Sequence, residues 1–145
     1  MSEIRAMTPD DLKRIVELEN ASFSAPWSRQ SFEMELSGNP YSHPVVYEED
    51  GTILGYAIVW IMFEQASLAS IAVDPAVRQK RIGWQLLEHV IGLAQTEGAE
   101  LFSLEVRPSN QAARAMYEKR GFVPLHTSKN YYSDGEDAIV MGLGI

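Results

Sequence analysis

A chain of 145 residues can bury one full core and is short for two, so a single domain over residues 1–145 is expected. Its composition, 46% hydrophobic and 22% charged, excludes wholesale disorder, and the lack of cysteine removes disulfides, thiolate zinc sites and cysteine nucleophiles. A net charge of −8 speaks against nucleic acid as a partner and mildly for a cationic one. The longest apolar run, residues 56–63, suits a strand and falls well short of the roughly 18 residues of a membrane span. Residues 1–5 lack the apolar segment of a signal peptide, so a cytoplasmic location with no membrane contact is expected. His43, His89 and His126 have no metal-ligand spacing, and no metal is expected.

Residues 3–6 read as a first short strand. Thr8 as N-cap and Pro9 in the first turn start a helix that runs to about Ser22 and packs Leu12, Ile15, Val16 and Leu18. A proline-marked loop over 23–28 leads to a second helix, capped by Ser28 and closed by Gly38, with Phe32 and Leu36 inward. Trp27 in that loop is either a plug of the core or the wall of a substrate cleft. Residues 45–49 and 53–63 flank Asp50-Gly51, a hairpin signal, and 66–73 add a third antiparallel strand.

Asp74-Pro75 ends that strand, and beyond Gly83 a helix over 84–97 belongs to an apolar face of Ile82, Leu86, Leu87, Val90, Ile91 and Ala94. Between them lie Arg78, Lys80 and Arg81 beside the free amides of a helix start. Such a turn is either a solvated surface or a phosphate site favoured by the helix dipole. A strand over 100–106, a helix over 109–120 and a closing hairpin, 122–132 with 136–143 around Ser133-Asp134-Gly135, complete the chain. The strand-helix-strand unit over 67–106 demands a parallel crossover, so the fold class is α/β with a mixed sheet covered by helices.

Alternation in 101–107 puts Ser103, Glu105 and Arg107 on one face and Phe102, Leu104 and Val106 on the other. A carboxylate on so apolar a strand either pairs with a cation such as Arg107 or opens onto a wet cleft. Tyr117 reads as a helix residue packed on the sheet, and Asn110 as a helix cap.

Val73-Asp74-Pro75, Arg78-Gln79-Lys80-Arg81-Ile82-Gly83 and Leu86-Leu87 resemble the acetyl-CoA loop of the GNAT family of N-acetyltransferases, Gln/Arg-x-x-Gly-x-Gly/Ala. Arg78 and Gly83 match, while Arg81 stands where that pattern has its first glycine, a place whose backbone angle glycine takes most cheaply. Leu104-Glu105-Val106-Arg107-Pro108-Ser109-Asn110, then Ala112 to Glu118 and Gly121-Phe122, resemble the second diagnostic block of the same family. With residues 23–28, Asn130-Tyr131-Tyr132 and 137–141, the chain is similar to the branch whose members acetylate the N-terminal alanine of small-subunit ribosomal protein eighteen.

The resemblance implies a GNAT fold, a central mixed and mostly antiparallel sheet flanked by about four helices. It implies acetyl-CoA as co-substrate, a ribosomal-protein N-terminus as acceptor, Glu105 as general base and Tyr117 as general acid. Asn110 would contact the cofactor, the backbone of Ile71, Ala72 and Val73 would serve pantetheine and thioester, and Arg78, Gln79, Lys80, Arg81, Ile82, Gly83 and Trp84 the pyrophosphate. Trp27, Tyr131 and Tyr132 would line the peptide cleft. Two other readings share the scaffold: an acetyltransferase for lysine or small amines, and a non-catalytic acetyl-CoA-binding module.

Overall fold

The computed structural model describes residues 1–77 and 81–145 in full and 78–80 by backbone element alone. In chain order come β1 Ser2–Ala6, α1 Leu12–Ser22, α2 Arg29–Ser37, β2 Ser42–Glu49, β3 Thr52–Met62 and β4 Gln65–Val73. Then follow α3 Ile82–Thr96, β5 Leu101–Val106, α4 Gln111–Arg120, β6 Val123–Ser128 and β7 Ala138–Gly144, with 3-10 turns at Pro9–Asp11 and Pro75–Lys80. Among the described residues no helix is long and apolar enough to cross a membrane.

The strands form one sheet in the order β1-β2-β3-β4-β5-β7-β6, with β4 and β5 the single parallel pair. The α3 crossover forces that pair, because a chain that leaves one strand end and returns through a helix re-enters in the same direction. Asp50 and Gly51 take φ of 50° and 82° in the two-residue turn between β2 and β3, the positive angles that a right-twisted hairpin requires.

Each face of the sheet carries its own core. On one, the six expected apolar residues of α3 and Tyr117 of α4 pack against Ala57, Val59, Phe102, Leu104 and Val106. On the other, Leu12, Ile15 and Leu18 of α1 and Phe32 of α2 pack against Val46, Tyr56, Ile58 and Ala72. Gly55 lets α3 close on the sheet: a Cβ there would stand 3.0 Å from the Ala72 carbonyl oxygen and 3.1 Å from Leu86 Cδ1.

The pairing of β4 with β5 lasts three residues, Gln65, Ala66 and Ser67 against Leu101, Phe102 and Ser103, after which the strands part. Just past that point the register of β4 on β3 slips, with Ile58 opposite Ser70 and Val59 opposite Leu68, so that Ala69 is an extra residue. A bulge bends the strand that carries it, and here it turns β4 away from β5. Among the described residues, the edge of β4 beyond Ser67 that faces β5 therefore has no partner strand.

Several bounds differ from expectation: β2 begins at Ser42 and not at 45, a 3-10 turn over Pro9–Asp11 precedes α1, α4 begins at Gln111 after the Asn110 cap, and two further differences bear on the site. The helix α3 begins at Ile82, two residues early, because Arg81 takes the left-handed turn that launches it. The strand expected to reach Tyr132 ends at Ser128, since Asn130 (φ 50°) and Gly135 (φ 91°) fold 129–137 into a closed loop. Backbone hydrogen bonds from Tyr132 N to Glu136 O (3.0 Å) and from Gly135 N to Tyr132 O (2.9 Å) hold it, so Tyr131 and Tyr132 stand on a loop and not on a strand.

Candidate active site

The mouth of the β4–β5 split collects most of the residues singled out from sequence. At the end of β4 the Asp74 carboxylate accepts from Ala76 N (2.9 Å) and pairs with Arg14 (2.7 Å), whose Nε donates to the Ile53 carbonyl (3.0 Å), tying α1 to the turn before α3. Arg81 follows at φ 60° and ψ 27°, the left-handed conformation that glycine takes most cheaply; its exposed guanidinium stands 5.7 Å from the Trp84 ring. The first amides of α3 have no acceptor within the helix, and among the described residues the N-cap Arg81 makes no side-chain capping bond to them. An uncapped start of a 15-residue helix presents those donors and the positive end of its dipole to an anion.

Gly83 is half-buried in the first turn of α3, where a Cβ would lie 3.6 Å from Met116 Sδ and 3.7 Å from Val73 Cγ2, so α3, α4 and the end of β4 meet there. Ile71, Ala72 and Val73 pair with Ala57, Tyr56 and Gly55 on one side. Their other edge looks into the split. The side chains of Arg78, Gln79 and Lys80 lie outside the described residues.

Glu105 sits one residue from the end of β5, exposed, on the face opposite Phe102, Leu104 and Val106. It is not sealed by Arg107. That guanidinium binds Asp134 (2.8 Å) and Glu136 (2.9 Å) instead and stacks 3.9 Å from the centre of the Tyr132 ring. Glu136 in turn accepts from Ser109 N (3.0 Å) and Ser109 Oγ (3.1 Å), so the loop over 129–137 is clamped to the β5–α4 junction. Arg107 and Ser109 hold the Glu136 carboxyl below its usual range, while the backbone amide of Glu136 and then Arg107 do the same for Asp134.

The clamp brings the two loop tyrosines to Glu105. A hydrogen-bonding interaction with Glu105, burial and the carboxylate's charge push the Tyr131 phenol up to about 12. Burial and then the Glu105 charge raise Tyr132, which lies 5.0 Å from Tyr131 ring to ring. Tyr117 is 4% exposed, its ring tilted against Phe122 at 5.9 Å, and burial followed by the influence of Tyr132 raises its phenol well above the usual value. Tyr132 thus stands between the two candidates, influenced by Glu105 on one side and acting on Tyr117 on the other.

Asn110 is exposed and caps α4, its Oδ1 accepting from Ala113 N (3.2 Å). Trp27 joins a different group: half-buried, it packs 5.4 Å from Phe32, which meets Tyr56 edge-on at 5.7 Å. Sequence reasoning missed Arg107 as the loop clamp, with Asp134 and Glu136, and the buried Glu19 beneath Trp27. The position of Glu19, four residues after Ile15 on the inward stripe of α1, was the available signal. Among the described residues no group of three His, Asp or Glu is arranged to hold a metal.

Comparison with known proteins agrees with this arrangement. Residues 12–122 match the model of the acetyltransferase (GNAT) family. A Bacillus subtilis (strain 168) relative is 40% identical over 98% of this chain and 95% of its own. The [ribosomal protein bS18]-alanine N-acetyltransferase of Escherichia coli (strain K12) is 36% identical over 100% of this chain and 99% of its own. The crystal structure of the ribosomal-protein-S18-alanine N-acetyltransferase from Escherichia coli matches with a TM-score of 0.91 at 34% identity, covering 100% of this chain and 94% of that one. With the split sheet, the uncapped α3 start and these full-length matches together, the chain belongs to the GNAT acetyltransferase family.

Proposed function

We propose that this chain transfers the acetyl group of acetyl-CoA to a protein N-terminal α-amine, and that the acceptor is the N-terminal alanine of ribosomal protein bS18. The observation that carries the reading is Glu105, exposed at the end of β5 with Arg107 drawn away from it, so that a base stands open beside the split. The names of the full-length relatives support the acceptor.

An α-ammonium has a pKa of about 7.7 to 8.0 and a lysine about 10.4, so freeing the lysine amine at neutral pH costs roughly 3 kcal/mol more. A carboxylate acting directly or through one water suffices for the α-amine, and Glu105 takes that proton. Acetyl-CoA supplies the acetyl group as a thioester. The α3 start, with the amides of Ile82, Gly83 and Trp84, would hold its diphosphate; the unpaired edge of Ile71, Ala72 and Val73 would hold its pantetheine arm and offer amides to the oxygen where charge develops. Arg81 already has the left-handed backbone angle that glycine takes most cheaply, so a side chain at that position does not change the course of the backbone that carries those amides. Asn110 would contact the donor from the α4 cap, and Tyr131 and Tyr132 would flank the incoming peptide. Tyr117, raised by burial, stays protonated and donates to the departing sulfur.

Intact-mass analysis of a bS18 N-terminal peptide incubated with the chain and acetyl-CoA tests this. One acetyl group is expected on the α-amine, and none on an N-terminally blocked peptide that keeps its lysines. Acetyl transfer to lysine or to free small amines alone would overturn the proposal.

A further inference from the structure

Glu19 is 2% exposed in α1, and no described cation pairs with it. A carboxylate so placed is expensive unless donors replace its water, and here both oxygens are taken. Its Oε2 accepts from the backbone N of Trp27 at 2.9 Å, and its Oε1 accepts from the phenol of Tyr56, which also lies 3.4 Å from Ser70 Oγ. One buried acid therefore ties together α1, the loop over 23–28, β3 and β4. Tyr56 and Ser70 belong to the sheet face covered by α1 and α2, and Glu105 projects from that same face, since it lies opposite to Phe102, Leu104 and Val106. Beyond this anchor, residues 23–26 of the loop are all exposed.

We infer that Glu19 is a positioning residue for the acceptor peptide: it fixes the loop over 23–28 against β4 as the wall that meets the residues following the reacting alanine. The inference rests on the proposed peptide acceptor and names which buried group sets that side of its site. Neither oxygen of Glu19 touches the α3 start, and its one link toward β4 runs through Tyr56 to the Ser70 side chain, on the face away from α3, so the larger effect of its loss is expected on the loop over 23–28. Leucine is close to glutamate in volume but leaves the Trp27 amide and the Tyr56 phenol without their acceptor, a cost that the Tm measurement reads.

The test compares Glu19→Leu, Glu19→Gln and Glu19→Asp with the parent chain. It measures kcat and KM for a bS18 N-terminal peptide and for alaninamide, KM for acetyl-CoA, and Tm. Glu19→Leu is expected to raise the peptide KM about tenfold or more while acetyl-CoA KM and turnover of alaninamide move less than twofold. Glu19→Gln, which keeps an oxygen for the Trp27 amide, is expected to recover the peptide KM to within about threefold. Should Glu19→Leu not fold, Glu19→Asp supplies the same split with a smaller rise of about threefold. A parent chain active on the peptide whose Glu19 variants change peptide and acetyl-CoA KM in parallel, or change Tm alone, overturns the inference. A parent chain inert to the peptide overturns the proposed acceptor and the inference with it.

Discussion

Tyr117→Phe separates chemistry from packing at the acid side of the split. The substitution removes one oxygen and keeps a ring that is 4% exposed and set against Phe122. Among the described residues only Ser22 Oγ is a fully buried side-chain oxygen without a partner. The Tyr117 hydroxyl forms no side-chain hydrogen bond to a described residue. No donor or acceptor is orphaned by its loss, and stability should change by no more than about 0.5 kcal/mol. The rate effect should be far larger: removing one preorganised donor from developing negative charge costs on the order of 3 kcal/mol, or about a hundredfold in kcat. Burial also decides how the phenol acts. With its pKa raised above the ordinary value near 10 and a thiol near 8.5, full proton release to the departing sulfur is uphill by at least about 2 kcal/mol, so donation of a hydrogen bond is favoured. A group with that raised pKa remains protonated as pH climbs, so the acid's contribution should be undiminished between pH 8 and 10. Steady-state release of the CoA thiol across that range, with Tm measured alongside, makes the check. A variant with full kcat and lowered Tm would refute the assignment, and a parent activity that titrates away below pH 9 through Tyr117 would refute the raised pKa.

Glu105→Gln should lower kcat by about 10² to 10⁴ with acetyl-CoA affinity by calorimetry within twofold of the parent, since the carboxylate lies on the far side of the split from the α3 start. Arg107→Gln releases Tyr132, Asp134 and Glu136 together; the lost stacking alone, about 1 kcal/mol, predicts a peptide KM raised roughly fivefold at unchanged acetyl-CoA KM, and a change confined to acetyl-CoA would contradict it. Arg81→Gly removes roughly 1 kcal/mol of left-handed backbone strain against about 0.5 kcal/mol of lost contact with Trp84. Thermal unfolding should therefore show Tm one or two degrees higher, by about 2–4 °C per kcal/mol, and a clear fall in Tm would contradict it.

What the sequence discloses is what depends on near neighbours. Asp50-Gly51 names its turn through positive φ, the period of two from Phe102 to Val106 names the buried side of β5, and the spacing from Ile82 to Ala94 names the inner stripe of α3. Arg81 belongs to the same class, since a glycine position refilled by arginine announces a backbone angle, and the angle is there. Side-chain partners across long gaps are another matter. Arg107 could be paired on paper with Glu105, two residues away on the same face, but the acids that hold it are 27 and 29 residues on. Tyr131 and Tyr132 favour a strand by type, and the turn conformations at Asn130 and Gly135 override them. Glu19 finds Tyr56 across 37 residues, a meeting no local pattern contains.

The insertion at Ala69 bears on the proposed approach of donor and acceptor from different sides of one sheet. Before it, Ala66 and Leu68 face α3; after it, Ile71 and Val73 do, while Ala72 joins the α1 and α2 core and Ser70 meets Tyr56. Unbroken alternation from Leu68 would have sent Ser70 and Ala72 toward α3 and Ile71 toward α1, exchanging the two linings. The same extra residue bends β4 off β5 after Ser67. One local irregularity thus opens the gap and rephases its wall, leaving, among the described residues, a β4 backbone edge without a partner strand between the α3 start on one side and Glu105 on the other, the edge proposed above for the thioester arm. A regular β4 would have paired with β5 along its length and closed the place where those two halves meet.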